Sequence, residues 1–301
     1  MVKKLVLLVV GIMMAALFAG CGNDAPKEQA NKKIQVVTSF NAMAEFTKAI
    51  GGDKVEVSTI IPDGVEPHDF ELKPENMKQL ATAQVFVYNG FGMEPWAKQA
   101  IEAAKNDKLV TVVATEGVEA IKNTDPEEIK EHGAEDPHAW LSLKDAKIEV
   151  KNIKDALVKV DPANKDYYEK NYTEYVGKLD AMIKKYEEQF AKAPHKNFVT
   201  GHAAFAYLSR DFGLEQNSVE DVFAEGEPNA AQLAKLIEYV KENNIKTIFA
   251  EEMASPEVSK TLAKEVGAKV ETIYTIESKE DDKTYLQRMD ENLTKIAESL
   301  K

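Results

Sequence analysis

Three of the five histidines stand where the chain would hold an imidazole still. His68 follows Pro67 and His138 follows Pro137. Proline fixes its own φ angle and restricts the residue before it, so both histidines lie on stiff segments. His202 directly follows the strand-like run 198–200 and Gly201. Because neutral imidazole is the commonest metal ligand in proteins, these three histidines predict a metal site.

An acidic residue completes the candidate site. Glu277 follows a predicted strand, and three imidazoles with one carboxylate match a coordination set of zinc. The pair Glu251–Glu252 also follows a predicted strand and is the main rival for the fourth position. The remaining histidines, His132 and His195, are interpreted as surface residues. Each ligand alone could equally be a solvated or packing residue, and their joint placement at strand ends favours a metal.

Charge and cysteine content narrow the function further. The chain has 301 residues and a formal net charge of −13, which argues against a nucleic-acid partner and suits attraction of a cation. The only cysteine is Cys21, so neither an intramolecular disulfide nor a thiolate cluster can form.

The first residues predict export. Lys3 and Lys4 precede the apolar run 5–18, and small residues precede Cys21, so residues 1–20 have the pattern of a secretory signal. The stretch LFAGC (17–21) resembles the lipobox of bacterial lipoproteins, which implies cleavage before Cys21 and lipidation of that cysteine. An ordinary signal peptide with an incidental cysteine is the alternative. The polar residues 21–33 then form a tether to the membrane.

The rest of the chain alternates short apolar runs with helical patterns, which indicates an α/β fold with mainly parallel sheets. We predict two similar lobes of (βα)4 type: residues 34–160, a long linking helix at 161–193, and residues 194–301. The predicted strands are 34–39, 55–60, 85–88, 109–113, 198–200, 218–223, 247–250 and 269–276. The predicted helices are 40–50, 74–83, 95–106, 142–160, 161–191, 203–212, 229–242, 256–266 and 282–300.

The candidate ligands all follow strands of this scheme. His68 follows the second strand and His138 the fourth strand of the first lobe, whereas His202 and Glu277 follow the first and last strands of the second. Ligands of open α/β sheets bind beyond the carboxyl ends of the strands. Each lobe would therefore contribute two ligands to one metal site in the cleft between the lobes.

Four segments resemble, in order, the metal-binding receptors of bacterial ABC importers for zinc and manganese: GVEPHDFE (64–71), DPHAWL (136–141), GHAAFAYL (201–208) and IFAE (248–251). The resemblance covers residues 34–301. It implies two βα lobes bridged by a rigid helix, with His68, His138, His202 and Glu277 as ligands. It also implies the membrane subunits of an ABC permease as partners and an extracytoplasmic location on the bacterial membrane, and we expect a monomer.

Zinc is the expected ion and manganese the alternative. Manganese prefers oxygen-rich sites, whereas zinc suits imidazole. In the family that this chain resembles, the manganese receptors have a site of two histidines and two carboxylates. His202 stands at the position where those receptors carry a carboxylate. Zinc receptors often carry a histidine-rich loop before the second ligand, but the segment 116–137 contains only His132. A zinc hydrolase and an adhesin are the other functions considered, and we expect no enzymatic activity.

Overall fold

Two four-stranded parallel sheets form the framework of the protein. The computed structural model describes residues 33–123, 129–130, 133–222, 230–251, 257–279 and 281–301. The predicted signal segment, Cys21, His132 and Glu252 lie outside these residues. Residues Ile34–Lys301 form one compact unit.

The first sheet has the strand order β2-β1-β3-β4. Its strands are β1 (Ile34–Thr38), β2 (Val55–Thr59), β3 (Val85–Tyr88) and β4 (Val110–Val113), and all neighbours pair in parallel. The strands alternate with helices as the apolar pattern predicts. These helices are α1 (Asn41–Gly51), α2 (Pro74–Thr82), α3 (Ala97–Ala104) and, after a longer connection, α4 (Leu143–Val160). The Oγ of Ser142 accepts a hydrogen bond from the N–H of Asp145 and thereby caps α4.

The second sheet repeats this topology with the order β6-β5-β7-β8, again entirely parallel. Its strands are β5 (Asn197–Thr200), β6 (Glu215–Ser218), β7 (Thr247–Glu251) and β8 (Lys269–Ile273). The helices that accompany them are α6 (Ala206–Phe212), α7 (Ala230–Glu242), α8 (Glu257–Val266) and α9 (Tyr285–Ser299). Because both sheets share one strand order, the prediction of two similar α/β lobes is confirmed.

One long helix, α5 (Lys165–Lys192), connects the lobes after a single turn of 3-10 helix at Pro162–Asn164. Its 28 residues correspond to about 42 Å. Its buried stripe packs into one continuous core that reaches from the first sheet to α6 and α9. The buried members of the stripe are Tyr168, Tyr175, Leu179, Ile183, Tyr186 and Phe190. A second, smaller core fills the far side of the second lobe under α7 and α8.

Polar contacts attach α5 at both of its ends. The side-chain amide of Asn171 donates a 2.9 Å hydrogen bond to the carbonyl of Ile50 in α1. Near the other end, the hydroxyl of Tyr186 donates to the carbonyl of Asp290 in α9 at 2.8 Å. The helix therefore packs against both lobes along its length. No helix within the described ranges is long and apolar enough to cross a lipid bilayer.

The structure corrects three element assignments. The strand predicted at 218–223 is wrong, because the edge strand β6 comes earlier and consists of polar residues, EQNS, without an apolar pattern. The helix predicted from residue 203 begins at Ala206, because residues 201–205 form an irregular segment. The strand predicted to reach residue 276 ends at Ile273, so Glu277 lies four residues beyond it.

Candidate metal centre

Four side chains from separate segments meet between the lobes. His68 lies on the loop between β2 and α2, and His138 begins the short turn before α4. His202 directly follows β5 and Gly201, and Glu277 lies between β8 and α9. Their ligand atoms all lie within 4.8 Å of one another. All four side chains are almost completely buried, including that of His68, which is 1% exposed.

The spacing of the ring nitrogens fits a tetrahedral ion. Nε2 of His138 lies 3.3 Å from Nε2 of His68 and 3.3 Å from Nε2 of His202. Oε1 of Glu277 lies 3.5 Å from Nε2 of His138 and 3.8 Å from Nε2 of His68. Zinc–nitrogen bonds of about 2.0–2.1 Å in tetrahedral geometry separate the nitrogens by about 3.3 Å. Two pairs of ring nitrogens therefore already have the spacing expected around a zinc ion, and small inward adjustments of the cluster would bring the remaining ligand atoms to it.

A carboxylate behind His138 determines which nitrogen of its ring faces the centre. Oδ1 of Asp136 lies 2.9 Å from Nδ1 of His138 and also accepts the backbone N–H of His138. Because a carboxylate only accepts, Nδ1 must carry its proton and Nε2 must face the other ligands. The hydroxyl of Tyr207 in α6 donates to the carbonyl of Asp136 at 2.6 Å. The second lobe thus supports the His138 segment of the first.

Glu251 supports His202 in a different way. Its Oε1 accepts the backbone N–H of His202 at 3.1 Å and lies 4.0 Å from Nδ1 of that ring. A Cβ atom at position 201 would collide with the Glu251 carboxylate, so Gly201 is needed for this close approach. Glu251, the rival for the fourth position, therefore lies behind His202 and outside the cluster of four.

The electrostatic environment favours a proton on the ring of His138 and disfavours one on the ring of His202. Burial alone would lower the pKa of His138, but Asp136 and Glu277 outweigh it and raise that pKa to about 9. Burial and the neighbouring His138 lower the pKa of His202 to about 4. Burial opposes ionisation of Glu277, yet the surrounding histidines lower its pKa to about 2. At neutral pH, a zinc ion therefore has to displace a proton from His138.

Residue Glu66 adds a second carboxyl group near the centre. Its Oε1 accepts the backbone N–H of His68 at 3.3 Å. Burial and the charge of Glu277 raise the pKa of Glu66 to about 8, so at neutral pH this group is largely protonated. His195 is exposed, as expected of a surface residue.

Sequence patterns indicate the four candidate ligands but not most of the groups that support them. Asp136 stands in the quoted segment DPHAWL, two residues before His138, and that spacing was the available signal for its role. Tyr207 stands in the segment GHAAFAYL, but its partner is the carbonyl of residue 136, far away in sequence. No local sequence pattern predicts a contact between residues so far apart in the chain.

Known proteins resemble this chain over nearly its whole length. The family model of the periplasmic zinc-uptake complex component A (ZnuA) matches residues 36–299. The high-affinity zinc uptake system protein ZnuA of Bacillus subtilis is 42% identical over 299 residues, covering 94% of each chain.

Solved structures show the same fold. A Zn(II)-bound AdcAII variant of Streptococcus pneumoniae has a TM-score of 0.82 and 35% identity, over 90% of this chain and 99% of that one. The laminin-binding protein Lmb of Streptococcus agalactiae, described as an adhesin with metal-transporting activity, has a TM-score of 0.81 and 32% identity. That likeness covers 90% of this chain and all of Lmb.

Proposed function

The chain belongs to the family of the periplasmic zinc-uptake complex component A, and we propose that it captures Zn(II) outside the cytoplasm for an ABC importer. The observation that carries this proposal is the buried cluster of three imidazoles and one carboxylate between two lobes. Such a donor set suits zinc better than manganese, which prefers more oxygen ligands. The membrane subunits of the importer are the partners to which the receptor delivers its ion.

The proposed ligands are His68, His138, His202 and Glu277. The first two come from the first lobe, at 34–160, and the other two come from the second lobe, at 194–301. The linking segment 161–193 joins the two lobes. Because one chain supplies the complete set, the receptor is proposed to act as a monomer. Burial of the ion removes it from water, and the carboxylate of Glu277 offsets part of its charge.

The membrane attachment is a separate part of the proposal. Cys21 carries the lipid anchor and residues 21–33 form the tether. A dozen extended residues reach about 40 Å, which would let the receptor turn toward a permease in the same membrane. Several acyl chains would hold it there durably.

A zinc hydrolase is less well supported. Catalytic zinc keeps one coordination position open for water, whereas the carboxylate of Glu277 lies close enough to the histidines to fill that position. A panel of ester and peptide substrates, incubated with zinc-loaded protein, tests this alternative directly.

The likeness to Lmb makes adhesion a second candidate function. Immobilised laminin tests it, with the metal-free and zinc-loaded forms compared. Saturable binding of either form would support adhesion, and an absence of binding would remove it.

The test of the main proposal is a competitive titration. Metal-free protein is titrated with Zn(II) and with Mn(II) in the presence of a chelator of known affinity. We expect one zinc ion per chain, bound more tightly than manganese. Tighter binding of manganese, or no binding of either ion, would overturn the proposal.

A further inference from the structure

The turn that carries Glu277 is held by a residue of the other lobe. Asn41 is the first residue of α1 and lies three residues beyond the end of β1, the first strand of the first lobe. Its Nδ2 donates to the carbonyls of Ile276 at 3.2 Å and of Ser278 at 3.1 Å. Its backbone N–H donates to the carbonyl of Glu277 at 3.2 Å. One buried residue thus binds three consecutive carbonyls around the proposed ligand.

The backbone of this turn needs such support. Ile276 has a φ angle of +62°, in the left-handed region that β-branched residues rarely adopt. Its side chain is fully buried, so relaxation of the backbone would also disturb the core. A residue in this conformation persists only where its surroundings hold it. The two hydrogen bonds from Asn41 Nδ2 flank Glu277 on either side.

Other groups bind the ends of the segment. The indole N–H of Trp140 donates to the carbonyl of Thr275 at 2.7 Å. The guanidinium of Arg288 donates to the carbonyl of Ser278 at 2.8 Å. The Glu277 carboxylate is also held by a neighbouring side chain: Oε2 accepts a 3.0 Å hydrogen bond from the hydroxyl of Thr275, and Oε1 faces the histidines.

We propose that Asn41 is a positioning residue for zinc: it fixes the turn 276–278 so that Oε1 of Glu277 closes the site as its fourth ligand. The proposal rests on the zinc-receptor function proposed above. With the turn fixed, the ion is enclosed by four protein ligands. With the turn released, the Glu277 carboxylate is no longer confined, and water or a larger coordination shell can enter. Asn41 would therefore affect both the zinc affinity and the preference over manganese.

The experiment compares Asn41→Ala with a matched control, Asn106→Ala. The side-chain amide of Asn106 also donates to two backbone carbonyls, of Leu80 at 3.0 Å and Ala83 at 2.8 Å, on a half-buried surface outside the metal cluster. Mutation of a group that supports a metal ligand typically lowers the metal affinity about 10- to 100-fold. We expect Asn41→Ala to weaken zinc binding by about tenfold or more. Asn106→Ala should leave the zinc affinity unchanged.

Two further measurements separate positioning from general destabilisation. In a Glu277→Ala background, Asn41→Ala should cause little additional loss, because no side-chain oxygen remains for the turn to position. Co(II) bound to the wild type should show the intense visible bands of tetrahedral cobalt, and Asn41→Ala should weaken them. If Asn41→Ala is too unstable to titrate, Asn41→Ser, which retains one donor, replaces it and should give an intermediate loss.

The inference is wrong if the zinc affinity of the Asn41 variant equals that of the wild type. Equal losses in Asn41→Ala and Asn106→Ala, or an undiminished loss in the Glu277→Ala background, would also overturn it. These results leave zinc binding by the wild type intact, so they reject the positioning role alone. Failure of the wild type to bind zinc would instead reject the proposed function together with this inference.

Discussion

Nδ1 of His138 donates a 2.9 Å hydrogen bond to Oδ1 of Asp136, and this contact directs Nε2 of the ring toward the other three proposed ligands. The same carboxylate helps to raise the pKa of His138 to about 9, against the opposing effect of burial. A proton and a zinc ion therefore compete for one nitrogen. Several consequences of this competition can be measured.

Replacing Asp136 by Asn should weaken zinc binding by about 10- to 100-fold, because a neutral amide is a weaker acceptor than a carboxylate for the Nδ1–H that orients the ring of His138. Calorimetric titration measures the change. Asp161→Asn is the matched control: Asp161 accepts a 2.7 Å hydrogen bond from Tyr168 outside the metal cluster. Equal zinc affinity in Asp136→Asn and wild type would contradict the orienting role.

The stability of the metal-free protein should fall as the pH rises from 6.5 to 9. A raised folded-state pKa of His138 contributes stability that is complete below the ordinary pKa of 6.5 and is lost as the pH passes about 9. Glu66, with its pKa raised from 4.5 to about 8 by burial and by Glu277, acts in the same direction. Thermal unfolding in the presence of a chelator measures this dependence.

The zinc-loaded protein should not show the part of this fall that comes from His138, because the ion has already displaced the proton of that ring. Free zinc held at 100 times the Kd that applies at pH 6.5 should add about 2.7 kcal/mol to the free energy of unfolding at that pH, and more as the Kd falls at higher pH. The difference between the unfolding temperatures of the loaded and metal-free forms should therefore widen from pH 6.5 to 9. A His138→Gln variant serves as the control and should lose most of this widening. A difference independent of pH would refute the competition between proton and ion.

Replacing His202 by Glu should shift the preference of the site toward manganese at a cost in zinc affinity. The change substitutes an oxygen ligand for a nitrogen ligand and creates a set of two histidines and two carboxylates. Competitive titration with both ions measures the ratio of affinities. The same substitution at the exposed His195 is the control, and we expect it to leave the ratio unchanged. An unchanged ratio in His202→Glu would remove His202 from the ligand set.

Replacing Cys21 by Ala should release the protein from the membrane or leave it unprocessed, because the proposed lipid is attached to that sulfur. Fractionation of cells and the mass of the product measure the outcome. Gly22→Ala keeps the cysteine and should remain attached. Retention of the Cys21→Ala product on the membrane at its processed mass would exclude the anchor.

The two-lobed fold was predictable because buried parallel strands read as apolar runs between helical patterns. β3 (VFVY) and β7 (TIFAE) are such strands, and both were placed within one residue of their observed ends. β6 was misplaced because an edge strand need not be apolar. Its Gln216 side chain instead accepts the N–H of Phe205 and donates to the hydroxyl of Thr200.

The candidate ligands could be predicted from their positions after strands, since the carboxyl ends of parallel strands share one edge. The groups that hold these candidate ligands in place could not be predicted from the sequence. Asn41 binds the carbonyl of Ile276 across 235 residues of sequence, and Tyr207 binds that of Asp136 across 71. Contacts between a side chain and a distant backbone carbonyl depend on the packing of the lobes and leave no periodic pattern in the chain.

The central claim is that three imidazoles and one carboxylate of this chain bind a zinc ion. X-ray absorption spectroscopy of the zinc-loaded protein tests it most directly, because the spectrum reports both the number and the type of ligand. We expect four ligands at about 2.0–2.2 Å, three with the multiple-scattering signature of imidazole and one oxygen. In Glu277→Gln the three imidazoles should remain. A wild-type spectrum with fewer than three imidazoles, or with six oxygen-rich ligands, would contradict the proposed zinc site.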